Sequence, residues 1–342
     1  MNTRTKLIIA TVGLTLMISG VFTYFLIPGR VNNNVVIEDN GESDCLKDNE
    51  HAEHSLTDSS ATITLKDKST DTEISSFVIK DIIDNHYHPL EIHKCGVYTF
   101  KTFNYNISNI PASQIENFQI ELWKYNYAGQ GEKKILLTEQ VSYAYKRYYD
   151  QDFRVSPNEK YIALESGYLG ADKYYLVIKD LSTLEDVFVL DIVDLYNKDP
   201  ERIGTIGFNE WTKDSRYFWI DLFNGANVNA FVRIDTTDWS WEYLPAPENT
   251  MGGDKLNPET GWVTHNTLGI WTGETDISQQ IKERYQKEGK TGVFAIYNLF
   301  TKQGIILETA TDPTYFFKPK WLSDTELEYE MSSGERKVYT IK

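Results

Sequence analysis

The stretch "DFRVSPNEKYIALES", residues 152–166, places an apolar run, a polar turn and a second apolar run end to end. Phe153 and Val155 lead into Ser156-Pro157-Asn158-Glu159-Lys160, and Tyr161-Ile162-Ala163-Leu164 follow. That order is hairpin grammar, because Ser, Pro and Asn favour the backbone of a tight turn and the flanks alternate. Taken alone, Ser156 and Asn158 would also suit a reactive site. Recurrence separates the two readings.

The same grammar returns in "NEWTKDSRYFWI" (209–220) and "PKWLSDTELEYE" (319–330), and more weakly in "LNPETGWVTHNTLGIWT" (256–272). A large or β-branched residue, Val155, Trp211 or Trp321, precedes each polar turn, and an alternating strand follows it. What comes next also repeats. "KYYLVIKDLSTLEDVFVLDI", "NAFVRIDTTDWSWEYLP" and "GVFAIYNLFTKQGIILET" each read as strand, Asx/Ser/Thr turn and strand. Asp and Asn belong in such turns because their side chains bond their own backbone two residues on. Each unit therefore reads as a four-stranded antiparallel sheet. Repeated short-strand units predict an all-β, β-propeller-like domain of about four to six blades.

On these residues the chain resembles the WD40-like, TolB-like and dipeptidyl-peptidase-type β-propellers. "VSPNEKYIAL" is similar to their SPDGKxIA-type signature and "WTKDSRYFWI" to its W-S-P-D-S-R-Y variant. The likeness is good over 152–244, fair over 256–342 and poor before about residue 140. Lys213 stands where the signature has proline, Ser323-Asp324 lack it, and no copy keeps the glycine. The resemblance implies that the polar residues turn the chain between the second and third parts of a blade. It also implies that the Trp packs between blades. Dipeptidyl-peptidase-type propellers carry a separate hydrolase domain, for which this chain is too short; a propeller without that domain is expected.

The amino terminus is a different material. Arg4 and Lys6 precede Leu7–Ile27, 21 residues without a charge, long enough to span a bilayer core as a helix. No small-residue cleavage site and no following Cys mark it for removal or lipidation. An uncleaved signal anchor is predicted within residues 1–30, spanning 7–27, with the N-terminus cytoplasmic and the rest extracellular or periplasmic. Residues 31–60 are polar and acidic and read as a linker, with the exported domain over 61–342. Past residue 30 the chain holds 31 basic against 50 acidic residues, a balance that repels nucleic acid. Cys45 and Cys95 are the only cysteines, and outside the membrane they are candidates for one disulfide.

The chemistry-bearing clusters are few. The sequence holds no G-x-S-x-G, P-loop, G-x-G-x-x-G or H-E-x-x-H pattern. His86, His88 and His93 fall within "DNHYHPLEIHKC" (84–95), and an extended segment would put His86 and His88 on one face. A zinc site there is one reading and pH sensing another. An ordinary polar loop with surface histidines is favoured, since the spacing fits no zinc module. Asp172, Asp180, Asp214, Asp235 and Asp324 sit in turns for backbone reasons, so calcium is equally disfavoured and no cofactor is predicted. The aromatic set Trp239, Trp241, Trp262 and Trp271 is the candidate binding face. Trp239 and Trp241 alternate in a predicted strand and so point one way. Packing between sheets is the competing role for all four. One polar helix is predicted over 276–290.

The functional expectation is a membrane-anchored binding or scaffold protein that meets a protein, peptide or glycan partner outside the membrane. A propeller-based hydrolase or lyase, peptidase or glycan-directed, stays open. So does a structural subunit of an envelope complex.

Overall fold

The computed structural model describes residues 45–57, 60–80, 82, 90–102, 118–139, 153–167, 174–198, 205–224, 227–247, 254–267, 283–313 and 315–342. They divide into two compact units between Val193 and Asp194.

The N-terminal unit holds three antiparallel meanders. The first is β1 (Glu50–Thr57), β2 (Ser60–Asp67) and β3 (Glu73–Lys80). The second is β4 (Leu90–His93), β5 (Gly96–Thr102), β6 (Phe118–Tyr125) and β7 (Gly131–Glu139). The third is β8 (Phe153–Val155), β9 (Tyr161–Gly167), β10 (Tyr174–Asp180) and β11 (Asp186–Asp191). A short helix, α1 (Ile192–Lys198), begins beyond Asp191, whose carboxylate accepts the Val193 N–H at 2.9 Å.

The C-terminal unit repeats the plan. One sheet is β12 (Thr205–Trp211), β13 (Tyr217–Asn224), β14 (Asn227–Asp235) and β15 (Trp241–Pro245). The next is β16 (Trp262–Thr267), β17 (Gly292–Asn298) and β18 (Gly304–Ala310). The last is β19 (Lys320–Trp321), β20 (Glu326–Glu330) and β21 (Arg336–Thr340). The architecture is all-β and propeller-like. Among the described residues three of the six sheets have four strands and three have three. In the β16–β18 sheet a single bridge, Leu256 to Val263, occupies the place of the missing first strand.

Two repeated turns explain why these sequences make these sheets. Asp67, Asp180, Asp235 and Asn298 open the turns before β3, β11, β15 and β18. In each, the opener's N–H donates to the carbonyl five residues on, at 3.0, 3.0, 2.9 and 2.9 Å. The opener's side chain accepts the N–H two residues on, from Ser69, Ser182, Thr237 and Phe300. The residue four on is left-handed: Asp71, Leu184, Trp239 and Lys302 have φ of 55, 65, 59 and 60°. A non-glycine residue disfavours that conformation, so the side-chain bonds must offset the cost. The Asp67 copy lies in the region where the sequence resemblance was poor.

The opening signature is the other turn. Ser156 Oγ accepts the Tyr161 N–H at 2.9 Å and donates to Asn158 Oδ1 at 2.8 Å. Thr212 Oγ1 accepts the Tyr217 N–H at 2.9 Å and donates to Asp214 Oδ1 at 2.6 Å. These residues close turns. The signature joins the first and second strands of a sheet, not the second and third parts, because the chain enters by a short strand such as the three-residue β8.

Alternation buries one row of each strand. Ala61, Ile63, Leu65, Ile79, Val97 and Tyr125 form one core of the N-terminal unit. In the C-terminal unit Trp219, Phe231, Leu244, Val263 and Leu299 form one core, and Phe294, Ile296, Phe317, Leu327 and Tyr329 another. The 31–60 stretch, predicted as linker, already contains β1, whose Ala52 and Leu56 pack on the first of these cores. Pairing with β2 supplies the apolar cover its own sequence lacks. Residues 283–287 are helical, and the rest of the predicted 276–290 helix up to residue 282 lies outside the described residues. Among the described residues no helix is long and apolar enough to cross a membrane, and the predicted span 7–27 lies outside them.

Candidate functional site

The predicted site residues scatter. Cys45 and Cys95 are joined by a disulfide that fixes the segment before β1 to the β4–β5 turn. His86 and His88 lie outside the described residues. His93 ends β4, where its Nε2 meets Glu91 Oε2 at 3.2 Å and its ring lies edge-on to Tyr98. Glu91 also accepts the Val155 N–H at 2.6 Å and lies 3.6 Å from Arg154, so His93 belongs to a polar seam between two sheets. His51, Glu53 and Asp71 bring ligand-type atoms within 4.8 Å of one another. Lys66 reaches into that trio, 2.8 Å from Glu53 and 3.3 Å from Asp71, and its ammonium supplies the charge a metal would bring.

The aromatic face divides. Trp271 is outside the described residues. Trp262 packs on the core built by Phe294 and Phe317. Trp239 is not a strand residue: it takes the left-handed place of the Asp235 turn, and β15 begins at Trp241. The two tryptophans therefore do not form an alternating pair, because the turn consumes six residues. Trp241 stands 39% exposed at the outer edge of its sheet.

At the start of β15 lies a hollow of about 230 Å³, lined by Tyr217, Arg233, Asp235, Ser240, Trp241 and Glu242; the register pairs Trp241 with Ile234, so its side chain takes the other side of the sheet from Arg233 and Glu242. The strand register builds it. Tyr217 pairs with Asp235 and Trp219 with Arg233 across β13 and β14, and Arg233 pairs with Glu242 across β14 and β15. The Arg233 guanidinium lies 4.4 Å from the Tyr217 ring centre, 4.3 Å from Phe300 and 5.7 Å from Trp219, with Glu242 as its counter-ion. A flat, weakly hydrated cation between rings is favourable, so Arg233 is held rather than free to search. Gly261 makes the cage possible: its φ is +69°, and a Cβ there would meet the Phe300 ring at 2.3 Å. Arg216 also lies over the Tyr217 ring, 4.8 Å from its centre, and bonds Asp235 Oδ2 at 3.0 Å. Desolvation works against the Asp235 charge, but bonds from Thr237 and Arg216 prevail and hold its carboxyl down at about 2.

A second polar cluster lies in the same unit, on β12 and β13. A register shift between Phe208 and Trp211 releases Asn209 from the ladder, and its Nδ2 donates to Asp221 Oδ1 at 2.8 Å. Burial pushes the Asp221 carboxyl up to about 7, against the Asn209 bond and the charge of Lys255. Bulges often re-aim side chains in this way. Neither Asp221 nor Arg233 was singled out from the sequence. An Asp on a strand otherwise made of large apolar residues, "YFWIDLF", was the available signal for the first.

No protein-family model and no curated protein matches the chain. Solved structures similar to it include an oligogalacturonate lyase in complex with manganese, at 12% identity and TM-score 0.46, covering 85% of this chain and 74% of that one. The β-propeller domain of the Trilobed protease from Pyrococcus furiosus matches at 13% identity and TM-score 0.41, covering 75% of this chain and 65% of that one, just under two thirds. TolB from Acinetobacter baumannii matches at 11% and 0.29, covering 86% and 79%. The propeller-like description rests on the sheets and turns themselves, which are consistent with the TolB-like resemblance.

Proposed function

We propose that the chain is a membrane-anchored binding protein, held by residues 7–27 with its N-terminus cytoplasmic. Its β-sheet region lies outside the membrane and presents the Trp241 face to a protein, peptide or glycan partner. The observation that carries this reading is the preassembled hollow. Its charged side chains are neutralised in pairs and its cation is clamped between rings, and Trp241 stands exposed on the edge strand beside it. A preassembled charged wall beside an exposed aromatic is suited to holding a partner. Two measurements test it. With Ser333→Cys as the exposed reporter, a membrane-impermeant maleimide is expected to label intact cells; labelling only after lysis overturns the topology. A photo-crosslinking residue at position 241 of the full chain, in its own membranes, is expected to give a discrete adduct that the same residue at Val338 does not. Equal or absent adducts at both positions overturn the binding reading.

A second reading is favoured by Asp221. A carboxyl that keeps its proton near neutral pH is suited to general acid work in a peptidase or glycan-directed hydrolase. Turnover of a peptide or polysaccharide panel by the purified full chain, lost in Asp221→Asn with the fold intact, would establish it. No turnover on any member removes it.

A further inference from the structure

We propose that His51, Glu53 and Asp71 bind a zinc ion, and that Lys66 is the side chain this ion displaces. The site lies in the N-terminal unit and does not depend on the binding reading above. Strand register builds one side of it. His51 and Glu53 alternate on β1, so both side chains project from one face, and β2 sets Lys66 directly opposite His51. Asp71 arrives from the turn after β2, where it takes the left-handed place with φ 55°. That turn is fixed from within, since Asp67 accepts the Ser69 and Thr70 N–H groups at 2.8 and 3.0 Å. Its backbone does not require a carboxylate at the left-handed place, because Leu184, Trp239 and Lys302 fill it in the other copies.

Ligand-type atoms of the three side chains fall within 4.8 Å of one another. Zinc takes imidazole and carboxylate ligands at about 2.0–2.2 Å, which puts neighbouring donors of a tetrahedron roughly 3.3–3.6 Å apart. His51 Nε2 stands 3.4 Å from Glu53 Oε1, inside that range, and 3.9 Å from Asp71 Oδ1, just beyond it. The ring can close the difference, because no hydrogen bond at His51 Nδ1 holds it in place. Charge favours the exchange. With His51 neutral, two carboxylates face the single ammonium of Lys66, and a divalent ion matches them in full. Glu53 and Asp71 are 52 and 73% exposed, so their pairs with Lys66 are screened by water and break at little cost. The long apolar stem of Lys66 lets its head withdraw to solvent. Three protein ligands leave the fourth position to water. An imidazole among them favours zinc over magnesium or calcium, which take oxygen ligands.

The test is a calorimetric titration of the full chain, stripped of metal with EDTA, using zinc alone as the probe. One saturable site is expected, and excess magnesium should not compete for it. His51→Ala, Glu53→Gln and Asp71→Asn should each weaken binding about tenfold or more. Lys66→Gln should tighten it about threefold, the scale of an exposed ion pair. A lysine that merely stabilises the sheet would not move affinity in that direction. The double variant His86→Ala and His88→Ala should leave binding unchanged. Thermal midpoints without zinc check that the variants stay folded, and Asp71→Asn, at a 73% exposed position, keeps the test open should a β1 variant fail to fold. No saturable binding, binding that survives His51→Ala or Asp71→Asn, or binding lost with His86 and His88 instead overturns the site. Unchanged or weaker binding in Lys66→Gln overturns displacement of the lysine.

Discussion

Glu159 and Asp221 are two enclosed carboxyl groups, one in each unit, with opposite electrostatics. Glu159 takes the left-handed place in the Ser156 turn, φ 54°, and reaches the neighbouring β4–β7 sheet. There it accepts the Cys95 N–H at 2.8 Å, the Tyr98 hydroxyl at 2.9 Å and Lys124 Nζ at 2.5 Å. Desolvation opposes its charge, but those three donors outweigh it and its carboxyl lies below the usual glutamate range. Asp221 pairs with the amide of Asn209, with Lys255 acting through its charge, and burial prevails. Removal from water therefore does not decide ionisation. The number and charge of donors aimed at the carboxyl do. The Tyr98 phenol, raised by burial and by the Glu159 charge, stays protonated as the donor this arrangement needs.

The largest expected effect comes from cutting the satisfied carboxylate. Glu159→Ala leaves Lys124, Tyr98 and the Cys95 N–H facing a vacancy, with Lys124 only 23% exposed. Removing one partner from such a network costs about 3–5 kcal/mol. Urea denaturation at pH 7 is the measure, with hydrogen exchange over residues 90–102 showing whether the loss is local. A change under about 1 kcal/mol would mean that Glu159 behaves as an exposed ion pair.

Acid and base should then act on the two units in opposite directions. Glu159 has a folded-state value below its unfolded one, so its contribution is present above about 4.5 and is lost as pH falls through the folded value. Asp221 runs from 3.8 unfolded to about 7 folded, so its contribution is full below the lower value and lost as pH rises through about 7. Asp221→Asn should accordingly stabilise the C-terminal unit at pH 8, on the order of 2–4 kcal/mol, and do little at pH 4. Hydrogen exchange over 217–224 at the two pH values reads it directly. Equal protection in wild type and variant at pH 8 would show that Asp221 ionises freely.

The repeated turns were far more legible in the sequence than the roles of these two carboxyls. Ser156, Asp180, Asp235 and Asn298 announce their turns because each bond joins residues within five positions of one another. The Asp67-Lys68-Ser69-Thr70 turn shares the Asp, Ser and Thr of Asp180-Leu181-Ser182-Thr183 at the same spacing. Trp239 misled because period-two counting was carried through a turn. Glu159 was read only as a turn residue, although its partners lie 35, 61 and 64 positions away. Asp221 depends on a bulge twelve residues upstream and a lysine from the next segment. Pairings of that kind exist only once the sheets have packed.

Ser156→Ala and Thr212→Ala compare the two units at a smaller scale. Each removes a buried hydroxyl that satisfies a main-chain N–H inside its turn, at Tyr161 and Tyr217. Both residues are enclosed, at 0 and 2% exposure. A loss of about 1–2 kcal/mol is expected for each, with ligand binding retained in whatever protein stays folded. The serine should cost at least as much, since its hydroxyl also reaches the Tyr161 carbonyl at 3.2 Å against 3.4 Å for Thr212 and Tyr217. Loss of partner binding with full stability in Ser156→Ala would return that residue to the list of candidate site groups.

The smallest effect is expected one position on from Thr212. Lys213 stands where the resembling signature has Pro157 in the first copy, and its side chain crosses to Asp324 at 2.5 Å while its N–H meets Glu259 at 2.6 Å. Three turns of the C-terminal unit thus meet at one lysine, and the picture invites the name of a keystone. Exposure argues otherwise. Lys213 is 73% and Asp324 50% exposed, so water and salt screen the pair, and holding two mobile side chains together costs entropy. The N–H bond to Glu259 survives in Lys213→Ala, because it belongs to the backbone. What already joins the turns independently is Asn257, buried at 2% and donating to the Ser323 and Asp324 carbonyls at 3.2 Å each. Lys213→Ala should leave the urea midpoint unchanged at 0.15 M salt, and Asn257→Ala should lower it. A reversed order would mean that the exposed lysine, and not the buried amide, holds these turns together.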